Sequence, residues 1–320
     1  MKLITFSDIQ SLSIPPRTCY DWVEKALLSK SNSLLPPKIH MNMDGNIFCN
    51  VMPSIVNLDG SSWCGIKTVT RYPQNTPSLE SRLLLLDAER GEYLALMDAT
   101  WITAMRTGAV AAHSIMTFAN PGFKTIGMIG LGNTARAALE ILSSVVNGDL
   151  DIKLLRYKDQ AEQFNDRFSG NNKLHFSIVD DVKNVVKGSE VVVSCATYFA
   201  DDICSDDCFD EGVLVVPVHT RGFTNCDLFF DKVFADDRGH VDHFKNFAKF
   251  KYFAEVSDVI CGKANGRTSN KERILAYNIG ISLHDVYFAA EIFNMLKNRR
   301  DVFESLLDLE FNEPKAKFWV

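Results

Sequence analysis

Gly130-x-Gly132-x-x-Ala135 follows the apolar run Lys124-Thr125-Ile126-Gly127-Met128-Ile129 and opens a segment of helical pattern. That spacing has a chemical use. The first glycine permits a tight strand-to-helix turn, the second lets a ligand approach bare backbone, and the small Ala135 lets helix lie close on strand. A diphosphate would meet free N–H groups at the helix start and the positive end of the helix dipole. Gly130, Gly132, Asn133, Thr134 and Ala135 are therefore the expected cradle of a dinucleotide.

The end of the following strand bears on which dinucleotide. An acid there would bind a ribose 2′-hydroxyl, but the strand end reads Leu154-Leu155-Arg156-Tyr157-Lys158, with no acid before Asp159. Arg156 and Lys158 suit a 2′-phosphate instead. The expected cofactor is NADP or NAD, with a lean to NADP. Ala196 and Thr197 follow the apolar run Glu190–Ser194, at the strand end where dinucleotide folds meet their ligand, and are further expected contacts.

These residues need a frame to hold them. Residues 1–120 alternate more than they wind. After a helix over Pro16–Ser29, two runs flank Asp44-Gly45 as a hairpin, Trp63–Tyr72 reads as a strand, and Leu83–Asp87 and Tyr93–Met97 flank a second hairpin. Asp98 is the expected cap of a helix over Thr100–Phe118, stopped by Asn120-Pro121-Gly122. From there the pattern changes to strands alternating with helices. A helix over Ala135–Val146, a strand at Ile152–Leu155, a helix over Gln160–Phe168 and strands at Glu190–Ser194, Gly212–Val218 and Lys232–Ala235 predict a doubly wound parallel sheet. Ile279-Gly280-Ile281 opens a last amphipathic helix that runs past Asn294.

Composition narrows the function classes. The 320 residues are 46% hydrophobic and 23% charged, with a net charge of −6 and no basic block, so nothing suggests a nucleic-acid or anionic-membrane partner and none is expected. No apolar run approaches the roughly 20 residues of a membrane span, and Asp8 comes too early for a signal peptide. A soluble, cytoplasmic protein is expected. Eight cysteines form no short-spaced framework: Cys204 and Cys208 lack a second pair, so reduced, mostly buried thiols are expected. His240 and His243 read as solvated loop histidines, and the acids from Asp201 to Glu211 as a solvated face. No metal site is expected.

Joined to Ala104-Met105-Arg106-Thr107-Gly108-Ala109-Val110, the glycine motif resembles the ornithine cyclodeaminase/mu-crystallin family. Val51-Met52-Pro53, Gly65-Ile66-Lys67-Thr68-Val69, Leu94-Ala95-Leu96-Met97-Asp98 and Asn278-Ile279-Gly280-Ile281-Ser282-Leu283-His284-Asp285 match in family order over nearly the whole chain. The resemblance implies a homodimer and an α/β fold, with a Rossmann dinucleotide-binding domain (residues 121–279) inserted into a β-rich α+β substrate and dimerisation domain (1–120 with 280–320). It also implies that Lys38, Lys67 and Arg106 clamp an amino-acid carboxylate, with Thr107 beside the cofactor. Arg106 can fork onto a carboxylate, and the lysines act as point charges.

The departures from the family pattern carry as much as the matches. Ornithine cyclodeaminases have a glutamate before the Met-Pro element, where this chain has Asn50. They have an aspartate beyond the fifth strand, where this chain reads Val218-His219-Thr220-Arg221-Gly222. Asn50 takes no proton as a carboxylate does, and Arg221 is no base. What remains is a hydride carrier, a carboxylate clamp, Lys67 and His219. That set suits one hydride transfer between NAD(P)H and an imine or 2-amino acid, as in an amino-acid dehydrogenase, ketimine reductase or opine-like dehydrogenase. Lys67 or His219 would protonate the nitrogen, and Arg221 and Asn50 would meet the rest of the substrate. The alternatives are ornithine cyclodeamination to proline and ammonia, and a non-catalytic NADPH-binding protein.

Overall fold

The computed structural model describes residues 1–58, 60–196, 199–218 and 222–310. Two sheets organise them. The first takes β1 (Lys2–Ile4), β2 (Ile39–Met43), β3 (Ile47–Leu58), β4 (Ser61–Arg71), β5 (Leu79–Asp87) and β6 (Glu92–Asp98) in the order β1-β6-β5-β4-β3-β2. All its pairings are antiparallel except β1 on β6. The β2–β3 hairpin turns through Gly45 and Asn46, both at positive φ (75° and 58°), a conformation that glycine and asparagine tolerate.

Strand alternation decides what this sheet covers. Met52, Ser54 and Val56 on β3, Gly65, Lys67 and Val69 on β4, and Ser81, Leu83 and Leu85 on β5 are all buried on one face. Three helices lie in the same part of the chain: α1 (Phe6–Ser11), α2 (Pro16–Ser29) and α3 (Thr100–Phe118). The start of α3 differs slightly from expectation. Ala99 is its N-cap, while the Asp98 carboxylate accepts from the Thr100 N–H at 2.8 Å.

The second sheet is parallel throughout. It contains β7 (Thr125–Ile129), β8 (Leu150–Leu155), β9 (Leu174–Val179), β10 (Val191–Ser194), β11 (Leu214–Pro217), β12 (Lys232–Ala235), β13 (Phe253–Glu255) and β14 (Ile274–Tyr277). Their order is β13-β12-β14-β11-β10-β7-β8-β9. β10, β11, β12 and β14 are buried at every residue, as strands covered on both faces must be. The helices α4 (Asn133–Val145), α5 (Gln160–Phe168), α6 (Val182–Val186), α7 (Cys226–Phe229) and α8 (Val256–Ile260) belong to this part. Strand order reverses beside β7, which opens a crevice between the carboxyl ends of β7 and β10.

The chain then returns to the first sheet through α9 (Ser282–Asn298) and α10 (Arg300–Ser305). Helix α9 lies so close to β4 that a Cβ on Gly65 would meet Val286 Cγ2 at 2.4 Å. The Ser282 hydroxyl donates to the Met52 carbonyl at 2.8 Å and is 3.1 Å from Ser54 Oγ, which fixes the helix start on β3. Helix α3 packs on α4 just as closely: a Cβ on Gly108 would come within 2.5 Å of the Ala138 nitrogen. That contact ties a helix of the first sheet to the glycine-motif helix. Among the described residues, no helix is long and apolar enough to cross a membrane.

Candidate functional site

The glycine turn sits at the strand-order reversal. Gly130 has φ 76°, and a Cβ there would lie 2.4 Å from the Ala196 nitrogen, so close approach to the β10 end as well as the turn requires glycine. Gly132 differs. A Cβ on it would meet nothing within 4 Å, and no side chain caps α4. The helix thus presents uncapped N–H groups to open space, flanked by the exposed Asn133 and the half-buried Thr134, while Ala135 is buried on the sheet side. A diphosphate fits this cradle by both charge and room. Helix α4 begins at Asn133, two residues earlier than the pattern suggested.

Thr134 also borders a cavity of about 220 Å³ that reaches across to the first sheet, where Lys38, Asn50, Arg106 and Thr107 line it. Gly280, at φ 82°, makes this possible: a Cβ there would sit 2.8 Å from Arg106 Nη1. The Gly280 N–H donates to buried Asp236 at 2.8 Å, which holds the bend in place. Lys38 Nζ donates to the Ile279 carbonyl at 3.1 Å on the same wall. Burial, then the Arg106 charge, push the Lys38 amine below its ordinary value.

Behind Arg106 lies a residue that sequence reasoning did not select. Asp285, on α9, is fully buried; its Oδ1 accepts from Lys67 Nζ at 2.7 Å and from Arg106 Nε at 2.8 Å. Burial alone would raise the Asp285 carboxyl, but Arg106 and Lys67 outweigh it and hold it below the ordinary carboxylate range. In the sequence Asp285 stands only inside the family-like stretch Asn278–Asp285; an acid heading the apolar run Val286–Ala290 was the available signal.

Lys67 is therefore placed differently from a free point charge in the cavity. It is 0% exposed and its ammonium is engaged by Asp285. Burial, followed by repulsion from Arg106, brings its amine down from 10.5 to about 7. It meets the cavity wall through Thr103, whose hydroxyl accepts from Nζ at 3.5 Å and donates to Ser81 Oγ at 2.9 Å. Thr107, one helical turn on, donates to the Thr103 carbonyl at 2.6 Å.

The expectation for Arg156 changes most. It follows β8 as anticipated, but Asp180 accepts from its Nε at 2.7 Å and Glu162 from its Nη1. Two acids thus occupy the guanidinium that was matched to a 2′-phosphate. Lys158 lies over the Tyr157 ring, 5.5 Å from its centroid. Ala196 is at the glycine turn; Thr197, His219 and Arg221 lie outside the described residues. Cys195, which sequence reasoning left out, lines the cavity as a thiol that burial pushes up to about 12.

His240 also departs from expectation. It is buried, bonds Asp237 at 2.8 Å through Nδ1 and accepts from the Lys38 N–H at 3.3 Å through Nε2, so it supports the Lys38 segment; His243 is exposed. The cysteines are free, and four of the eight are buried.

The model of the ornithine cyclodeaminase/mu-crystallin family matches residues 3–300. The chain belongs to this family. Among curated relatives it is 25% identical to nodulation efficiency protein NfeD of Rhizobium meliloti over 313 residues, 92% of this chain and 95% of that one. Among solved structures it is similar to Δ(1)-pyrroline-2-carboxylate reductase of Thermococcus litoralis, determined with NADH and L-proline. The TM-score is 0.84 at 23% identity, covering 97% of this chain and 100% of that one. An archaeal alanine dehydrogenase dimer with bound NAD gives a TM-score of 0.81 at 22% identity, covering 94% and 97%. These likenesses agree with the mixed α/β architecture and its parallel dinucleotide-type sheet.

Proposed function

We propose that the chain is a nicotinamide-dinucleotide-dependent oxidoreductase acting on the C–N bond of a small amino or imino acid. The observation that carries this reading is one cavity lined both by Thr134, at the uncapped start of α4, and by Arg106. Similarity to a reductase of a cyclic imino acid and to an alanine dehydrogenase supports it.

The dinucleotide supplies or takes up the hydride when bound. In reduction the imine carbon gains that hydride and its nitrogen gains a proton; amino-acid oxidation is the reverse. The chain's own residues do the rest. N–H groups of the glycine turn and α4 hold the diphosphate. Arg106, with Nε committed to Asp285, turns its terminal nitrogens to the substrate carboxylate, and Lys38 adds a second cation. Lys67, with its amine near 7 and its Nζ bonded to Thr103 on the cavity wall, holds the proton for the nitrogen. Holding the carboxylate this way fixes the α-carbon relative to the glycine turn.

NAD(H) and NADP(H) share the diphosphate that the cradle would hold, and Arg156, paired at the surface with Glu162 and Asp180, gives no preference between them. Cyclodeamination is the less favoured reading, because no acid lines the cavity among the described residues to receive a substrate's terminal amine. We also infer the division into residues 121–279 and the two chain ends, and a homodimer. Ile39, Met41, Met43 and Ile66 leave an apolar face on the first sheet, 38–57% exposed, which a second copy would cover.

The test is dinucleotide turnover by purified protein with imino acids formed from 2-keto acids and ammonia, and in reverse with amino acids. Reduction is expected to fall as pH rises through about 7, as Lys67 loses its proton. No turnover in either direction with either dinucleotide overturns the reading.

A further inference from the structure

Asn50, on the cavity wall, has a side-chain partner with no role so far. His40, on the edge strand β2, lies directly across from Asn50 on β3, and its Nδ1 bonds the Asn50 side-chain oxygen. An amide oxygen only accepts, so the ring nitrogen is the donor. With the oxygen engaged, the –NH₂ is the part of the Asn50 amide left for the cavity that Asn50 lines. Phe48, itself on the cavity wall, lies beside the ring at 5.6 Å between centroids.

The charge of the walls points the same way. Lys38 and Arg106 line the cavity, and among its described lining residues there is no Asp or Glu. The nearest acid of the clamp, Asp285, is fully buried and already bonded to Lys67 and Arg106. With one carboxylate on Lys38 and Arg106 the walls keep a net positive charge, so a substrate side chain ending in an ammonium would lose water to meet that charge and an amide donor. One ending in a carboxylate would exchange water for donors.

We propose that His40 is a positioning residue for substrate choice: by holding the Asn50 oxygen it turns the amide –NH₂ inward, and the site takes amino or imino acids with a second, distal carboxylate. This rests on the hydride-transfer reading above. The reaction is then reduction of a 2-imino dicarboxylate. Its imine carbon takes the hydride, its nitrogen takes a proton, the dinucleotide is oxidised, and a 2-amino dicarboxylate leaves.

The experiment compares kcat/KM for NADH-dependent reduction of three imino acids made from 2-keto acids and ammonia: one with a distal carboxylate, one with a distal amine that is trimethylated so that it cannot close on the carbonyl, and one with a plain alkyl side chain. Wild type is expected to favour the dicarboxylate over the amine-ended substrate by at least tenfold. H40F, which keeps a ring but no donor, is expected to lower that ratio about tenfold, mainly through KM for the dicarboxylate. H40Q, which restores a donor, is expected to recover most of the ratio, and N50E to invert it. His40 is exposed on an edge strand, so these variants are not expected to unfold, and the Gln rescue separates positioning from a general structural loss. Turnover of the alkyl substrate without a preference for the dicarboxylate, or a ratio unmoved in H40F, overturns this inference and leaves hydride transfer standing. No turnover of any of the three overturns both.

Discussion

Asp285→Asn tests the buried clamp directly. Asparagine keeps the shape and one acceptor but removes the charge that Lys67 and Arg106 share at 2.7 and 2.8 Å. Breaking a buried ion pair by removing one partner typically costs about 3–5 kcal/mol, because the remaining charge is left uncompensated. Lys67 can escape part of that cost by releasing its proton, since its amine already lies near 7 against an ordinary 10.5. Losing Asp285 lowers it further. A lysine whose folded value is depressed binds fewer protons folded than unfolded, so its contribution to stability rises with pH between those two values. In the variant that window opens lower. The destabilisation relative to wild type is therefore greatest at acid pH, shrinks as pH rises through the gap between the variant's value and about 7, and is flat above it. Each unit by which the amine falls is worth about 1.4 kcal/mol of that difference. Urea unfolding of both proteins at pH 5.5 and 8.5 measures it. A loss below about 1 kcal/mol at both pH values, or one that does not depend on pH, would refute the reasoning.

Other consequences are equally concrete. Gly108→Ala sets a methyl against the α4 backbone, which cannot step aside, and is expected to cost about 1–3 kcal/mol and to weaken dinucleotide and substrate together; a change under 0.5 kcal/mol, roughly the scatter of neutral surface substitutions, contradicts the close packing. Arg156→Ala is expected to change NADH and NADPH Kd by less than about threefold, as for an exposed side chain already paired to acids; a tenfold loss confined to NADPH would return the guanidinium to the phosphate. Asp227 is buried with its carboxyl raised by that burial to about 6, beside the Tyr277 hydroxyl at 2.9 Å. A raised carboxyl stabilises most below 3.8 and loses that contribution as pH rises through about 6. Asp227→Asn should therefore gain up to about 3 kcal/mol over wild type on going from pH 4 to pH 7.5, read as a Tm difference that grows with pH; a constant difference counts against it.

Much of this molecule was legible along the chain, because local physics wrote it there. The glycine spacing marks a turn whose backbone must be bare, alternation marks the first sheet, and Pro121-Gly122 marks the change of pattern. The fully buried strand Ile274–Tyr277 was not read, since a four-residue apolar run has no periodicity to separate it from loop or helix. Side-chain type identified Lys67 and Arg106 as cations worth watching. Only the tertiary structure decided what those cations do, because their partner is 218 and 179 residues away on a helix brought back against the first sheet. The same holds for Arg156, whose charge is engaged by Glu162 and Asp180, and for Asn50, whose polarity toward the cavity is set by His40 across a strand pair. Sequence fixes which groups can ionise or donate; their effective charge and direction depend on neighbours and on distance from water, which exist only once the chain has folded.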